Sequence, residues 1–263
     1  MTEKAFKGYQ KIKMVIANTL KEYEHFYFKT KEDAERYLDF GIDPRRITIA
    51  GDMKFDAPLM ERDEQVINEI RENLGVTENN FVFVAGSTRP GEEEKLAGIY
   101  GELKEKIPEA VMVVAPRHIE RLDEVRGIFQ QKGIVFKDYG EKNKEAGVIL
   151  IDRLGILTKL YLCASVSFVG GTLVDIGGHN ILEPVWAGSP VIFGNSVFNV
   201  VEAADYIVGH NYGAMIKSEK ELLSLLIKIH SGDILYHTKQ KNETDNSPTV
   251  KIGEYILSKI DNA

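Results

Sequence analysis

Phe81-Val82-Phe83-Val84-Ala85, followed by Gly86-Ser87-Thr88-Arg89-Pro90-Gly91, decides how this chain folds. The first five residues are apolar without a break, the composition of a strand covered on both faces. The next six are turn formers and polar residues. Glu92 to Lys106 then reads as a helix with three acids at its positive end. Strand, polar loop and helix in that order make the repeating half of a parallel sheet.

The unit recurs downstream. Val111 to Ala115 is a strand, Pro116-Arg117-His118 its loop, and Ile119 to Lys132 its helix. Val135-Phe136 is a short strand. Val148 to Ile151 runs through Asp152-Arg153-Leu154-Gly155 into a helix ending at Cys163. Val166 to Val169 opens a glycine-rich stretch and a short helix to Ala187; Pro190 to Phe193 and residues 214–216 are further strands. Upstream, Phe26 to Thr30 and Ile47 to Gly51 are strands, and Lys31 to Phe40 and Asp63 to Leu74 are helices, closed by Gly41 and Gly75. Ser247-Pro248 supplies an N-cap and first residue for a last helix, Thr249 to Lys259. The alternation predicts an α/β fold with a doubly wound parallel sheet, whose ligands bind at the carboxyl ends of the strands. Four polar loops fall at those ends: Ser87-Thr88-Arg89, Pro116-Arg117-His118, Asp152 to Gly155, and Gly177 to Glu183.

Composition narrows the function. Across 263 residues the net charge is -7, which argues against nucleic acid as a partner. The single cysteine, Cys163, excludes an internal disulfide and fits a reducing, cytoplasmic setting. The uncharged run from Pro184 to Val201 is broken by Pro, Gly, Asn and Ser, so no membrane span is expected. The six histidines are scattered without zinc-type spacing, and no metal site is expected. The glycine-lysine-serine ending of a phosphate-binding loop is absent, as are the dinucleotide fingerprint and the serine nucleophile elbow.

The richest stretch is Gly170-Gly171-Thr172-Leu173-Val174-Asp175-Ile176-Gly177-Gly178-His179-Asn180-Ile181-Leu182-Glu183-Pro184. Glycines let a backbone approach a ligand, and a helix N-terminus presents free N–H groups to an anion. Asn180 and Glu183 suit the vicinal hydroxyls of a ribose, with the glycines leaving room for it. The same pair also suits a capping box. His179 has no evident partner in the sequence. Arg117, directly after a buried strand, reaches a phosphate or carboxylate, or else pairs with Glu120. Ser87-Thr88 is either an N-cap or an anion nest, and Glu92, Glu93 and Glu94 are expected to point away from any phosphate. Lys54 is a linker lysine or one that neutralises a leaving phosphate.

Taken with Phe6-Lys7-Gly8-Tyr9, Gly51-Asp52-Met53-Lys54-Phe55-Asp56, Ala85-Gly86-Ser87-Thr88, Pro116-Arg117-His118, Asp152 to Leu157, Pro190-Val191 and Phe193-Gly194, this stretch resembles the 3-deoxy-D-manno-octulosonic acid (Kdo) transferases of lipopolysaccharide synthesis. The match runs along nearly the whole chain. It implies the GT-B architecture, with a Rossmann-like C-terminal domain binding the donor CMP-Kdo and an acceptor domain receiving the lipid A precursor. By the resemblance, Ser87, Pro116, Arg117, Leu154, Gly155, Ile156, Asn180, Ile181, Leu182 and Glu183 contact the donor, and Lys54 stabilises the transition state. Many members have Gly-Glu where this chain has Gly155-Ile156, which leaves a backbone contact at 156.

The resemblance divides the chain at 1–56 (end of the acceptor domain), 57–240 (donor domain) and 241–263 (linker and helix). The general base, the lipid A surface and the membrane anchor are expected outside this chain. The full enzyme is then expected at the cytoplasmic face of the bacterial inner membrane, inverting and free of metal and cofactor. The chain alone is expected to be soluble, to bind CMP weakly and to transfer nothing. Another GT-B sugar-nucleotide enzyme and a non-catalytic nucleotide-binding module are the alternatives.

Overall fold

The computed structural model describes residues 3–56, 62–142, 146–238 and 247–260, apart from the side chains of Glu3, Lys4 and Lys54. The chain forms two units, one drawn from 1–58 and 241–263, the other from 59–240.

The first unit holds α1 (Glu3–Gln10), α2 (Lys13–Lys21), β1 (Phe26–Phe28), α3 (Lys31–Leu38), β2 (Ile47–Ile49) and a closing helix, Pro248–Ile260. Thr30 starts α3 by accepting the Asp33 N–H at 3.1 Å. Strands β1 and β2 pair in parallel, with Phe26 opposite Ile47. Phe28, Ala34 and Phe40 are buried beneath them. Ser247 caps the closing helix through the Val250 N–H, and Pro248 is its first residue, as the sequence predicts. The Tyr255 ring packs 4.9 Å from His25, which joins this helix to the unit's opening segment.

The second unit contains α4 (Glu64–Leu74), β3 (Phe81–Thr88), α5 (Glu92–Lys106), β4 (Ala110–Pro116), α6 (Leu122–Gln131), β5 (Phe136–Asp138), β6 (Val148–Leu150), α7 (Leu157–Leu162), β7 (Val166–Val169), α8 (Glu183–Trp186), β8 (Val191–Gly194), α9 (Val201–Gly209), β9 (Gly213–Ile216) and α10 (Glu219–His230). Its seven strands are all parallel, in the order β5-β6-β4-β3-β7-β8-β9. The chain builds outward from β3 to one side and then crosses to β7 on the other. The carboxyl ends of β3 and β7 therefore flank the point where the winding reverses, the place such sheets bind ligands.

Alternation along the strands sends side chains into two cores. Phe83, Met112, Phe129, Phe168 and Leu226 fill one, under α5, α6 and α10. Val82, Val84, Val113, Ile149, Leu160 and Tyr161 fill the other, under α4 and α7. Each fully buried aliphatic or aromatic side chain contributes about 1.5–3 kcal/mol over an exposed one. Burial on both faces is why β3 and β4 show no polar alternation.

The structure changes several boundaries. The helix expected from Ile119 starts as a 3-10 turn, Ile119–Arg121, with no side-chain cap from His118, and turns α-helical at Leu122. Helices α9 and α10 are additional to the elements read from the sequence.

Candidate functional site

Four carboxyl-end loops of the seven-stranded sheet enclose a cavity of about 200 Å³. Ser87 comes from the end of β3, Pro116 and Arg117 from β4, Arg153, Leu154 and Gly155 from the loop after β6, and Leu157 and Thr158 from the start of α7. Glu183 enters from the first residue of α8. Six of the ten expected donor residues thus converge: Ser87, Pro116, Arg117, Leu154, Gly155 and Glu183.

Local backbone explains the convergence. Ser87 has φ of 55°, a left-handed conformation that L-residues seldom adopt, and the β3–β4 register shifts between Gly86 and Thr88. Such bulges re-aim a side chain at the end of a strand, and this one turns Ser87 into the cavity. Gly155, at φ 82°, makes the turn into α7. The Arg117 N–H donates to the Thr88 carbonyl at 3.0 Å, tying the β4 loop to β3. Thr158 donates its hydroxyl hydrogen to Glu183 Oε1, which fixes that carboxylate. Burial, with the negative Glu183 nearby, pushes the Tyr161 phenol pKa up.

The other four expected residues, Ile156, Asn180, Ile181 and Leu182, are not among those lining this cavity. Ile181 and Leu182 are 0% and 5% exposed core residues and do not line the cavity. Ile156 packs its side chain against the core under α7, at the N-cap of that helix. Asn180 is exposed and bonds its own loop, accepting the Leu182 N–H at 3.3 Å. The capping box therefore does not form either: Leu182 is the N-cap of α8 and Glu183 its first residue. Lys54 belongs to a 3-10 turn, Met53–Phe55, and its side chain lies outside the described residues.

The glycine-rich stretch is mostly occupied by the protein itself. Glu92 is fully buried, and its carboxylate accepts the N–H groups of Arg89, Gly171, Thr172 and Leu173 at 3.0, 2.8, 3.1 and 3.0 Å. The amides that looked free for an external anion are thus filled by an internal one. Glu92 thus turns onto the glycine-rich loop and holds its amides itself. Burial raises its carboxyl pKa against the pull of those amides. Glu93, also buried, pairs with Arg121 at 3.0 Å and accepts the Thr88 hydroxyl at 2.9 Å, so that hydroxyl is not part of an anion nest. Gly177 and Gly178 leave no room for a ligand: a Cβ on Gly177 would lie 2.4 Å from the Phe198 ring, and one on Gly178 2.9 Å from Val200. They admit the 196–200 segment.

His179 has a partner after all. Arg89 donates through Nε to His179 Nε2 at 3.0 Å and through Nη1 to His118 Nε2 at 2.7 Å. Burial, Arg89, Arg117 and His118 together hold the His179 pKa below its ordinary value. Glu120 lies 3.4 Å from His118 Nδ1, and no ion pair joins it to Arg117 among the described residues.

A larger cavity, about 650 Å³, lies at the opposite ends of the strands, where Asn80, Val111 and Gly147 line it. Lys137 sits there against Gly75, the left-handed cap of α4, where an ammonium meets the negative end of the helix. That gives it a structural role, and the loops carrying the converging polar groups are all at the smaller cavity.

The family model described as 3-deoxy-D-manno-octulosonic-acid transferase (kdotransferase) matches residues 1–57. A bifunctional glycosyltransferase/methyltransferase of Fusobacterium nucleatum is 32% identical over 236 residues, 88% of this chain and 36% of that protein. A 3-deoxy-D-manno-octulosonic acid transferase of Aquifex aeolicus is 32% identical over 229 residues, 85% of this chain and 59% of that protein. The chain therefore spans between about a third and three fifths of these curated relatives. The crystal structure of the C-terminal CMP-Kdo binding domain of WaaA from Acinetobacter baumannii superposes with a TM-score of 0.58 at 25% identity, covering 69% of this chain and 92% of that one. UDP-GlcNAc 2-epimerase from Neisseria meningitidis gives 0.56 at 13% identity, covering 91% of this chain and 61% of that one, a likeness of fold alone.

Proposed function

This chain belongs to the Kdo-transferase family, with a GT-B type fold, and from that premise we propose that its second unit binds CMP-Kdo for transfer to a lipid A precursor. The observation that carries the reading is the meeting of Ser87, Arg117, Gly155 and Glu183 around one cavity at the reversal point of the sheet. A neutral sugar-nucleotide enzyme shares the fold, so the base and the charge of the donor are what an experiment must separate.

The chemistry assigns roles. Glu183 keeps one carboxylate oxygen beyond the one Thr158 holds, and it accepts the ribose hydroxyls. Arg117 faces the phosphate with a guanidinium that no carboxylate neutralises among the described residues. Ligand pockets usually measure about 300–1,000 Å³. At about 200 Å³ this one is proposed to hold the ribose and phosphate, with the sugar acid beyond it.

In the transfer itself a general base takes the proton of an acceptor hydroxyl. The resulting oxygen attacks the anomeric carbon of Kdo with inversion, the bond to the phosphate oxygen breaks, and CMP leaves with the electron pair. Arg117 stabilises the charge growing on that phosphate. Lys54 is proposed to act on the same charge. The base is proposed to lie in the part of the relatives that this chain does not span. No metal enters the step.

Isothermal calorimetry of the chain with CMP and with UDP tests the reading. CMP should bind and UDP should bind at least tenfold more weakly. Glu183→Ala should weaken CMP about 10- to 100-fold, the range for losing a charge-assisted hydrogen bond. Equal affinity in wild type and variant removes the ribose role of Glu183. Preference for UDP favours an enzyme using UDP-sugars.

A further inference from the structure

Arg89 carries a charge that no acid neutralises among the described residues. Its two side-chain bonds go to imidazole nitrogens, His179 Nε2 at 3.0 Å and His118 Nε2 at 2.7 Å. An arginine only donates, so both nitrogens act as lone-pair acceptors in these bonds. No carboxylate pairs with this guanidinium among the described residues. Its backbone N–H is pinned separately, by Glu92 Oε2 at 3.0 Å. Arg117 likewise has no acid paired with it among the described residues, since Glu120 faces His118 instead. Two guanidinium groups and two imidazoles thus gather from three loops.

The cluster adjoins the cavity through the chain. Ser87 and Arg117 line the cavity, and Arg89 and His118 are two residues and one residue further along the same loops. His179 stands four residues before Glu183. Imidazole partners orient Arg89 without cancelling its charge, which an aspartate or glutamate in either place would do. Of its five N–H groups, three remain for a ligand, enough for a planar, bidentate contact with a carboxylate.

We propose that Arg89, oriented by His118 and His179, forms a carboxylate subsite for the acid group of a sugar-acid donor, beside the phosphate site at Arg117. The proposal rests on the donor reading above. In an ulosonic acid the carboxyl group is attached to the anomeric carbon, the same carbon that carries the phosphate in the nucleotide-linked form. Two adjacent anions on the ligand call for two adjacent, acid-free cations on the protein. A sugar-nucleotide without a carboxylate has nothing to offer Arg89. Arg89 touches the ligand; His118 and His179 are positioning residues.

Calorimetry with CMP and CMP-Kdo on the whole chain tests this. Wild type should bind CMP-Kdo more tightly than CMP. Arg89→Gln should weaken CMP-Kdo about 10- to 100-fold, the range for a hydrogen bond to a charged group, and leave CMP within about twofold. The retained CMP affinity also shows that the variant folds. His118→Gln, whose amide oxygen still accepts an N–H, should keep the preference for CMP-Kdo, and His118→Leu should lose it. Equal weakening of both ligands in Arg89→Gln, or of neither, overturns the subsite while leaving the donor reading intact. A wild-type chain that binds no CMP overturns the donor reading, and the subsite falls with it.

Discussion

Glu92 shows how a single side chain can take over a site that glycines seem to offer a ligand. Its Oε2 accepts the Arg89 and Gly171 amides and its Oε1 the Thr172 and Leu173 amides, all four in the buried turn between β7 and α8 or the loop after β3. In Glu92→Gln one oxygen becomes an NH₂ group that faces two N–H donors. Each buried amide left without an acceptor costs about 1–3 kcal/mol. Urea unfolding of this variant should therefore show a loss of at least about 2 kcal/mol. A loss below about 1 kcal/mol would mean that water reaches the turn and that Glu92 is dispensable there. The sequence shows three acids at the start of a helix, for which the dipole is sufficient reason. Nothing in it says that one of them folds back onto a loop about eighty residues away, because that contact exists only once β3 and β7 are neighbours.

At the scale of elements, the site depends on how closely α7 lies against β3. A Cβ on Gly86 would stand 2.0 Å from the Tyr161 hydroxyl and 2.8 Å from Leu157 Cδ1. Gly86→Ala should push α7 outward, and with it Leu157 and Thr158, two walls of the cavity. Overpacking of this kind costs about 1–3 kcal/mol. The variant should also bind CMP more weakly. Tyr161→Phe removes the nearest atom and should restore part of both losses when combined with Gly86→Ala. If the double variant is as unstable as the single one, the hydroxyl contact is not the cause. Elements of this kind were legible where pattern and punctuation agree: β3, β4 and β7 as apolar runs, α4 between Asp63 and Gly75, the closing helix after Ser247-Pro248. Helix α10 has a legible start signal in Ser218 followed by Glu221; the Ser218 hydroxyl accepts the Glu221 N–H, and Glu221 accepts the Lys217 N–H. The site was legible as a set of loops, because parallel topology places loops after strands on one edge. It was less legible residue by residue. Ile181 and Leu182 sit next to Glu183 in the chain, yet they point into the core and Glu183 into the cavity.

For the whole molecule, the division into two units predicts that ligand binding is a local event. The cavity residues all belong to the second unit, which has its own two-sided core. Trp186, the single tryptophan, follows Glu183 by three residues on α8, so its fluorescence reports that unit alone. A ligand that binds only the folded state stabilises it by about 2.7 kcal/mol at one hundred times its dissociation constant. With CMP at that level, the urea transition followed at Trp186 should shift by about this amount. Hydrogen exchange in α3 and β1, which belong to the first unit, should stay as it is without CMP. An equal gain of protection in both units would show that they open as one cooperative body. No shift at Trp186, in the presence of calorimetrically measured binding, would place the CMP site outside the second unit.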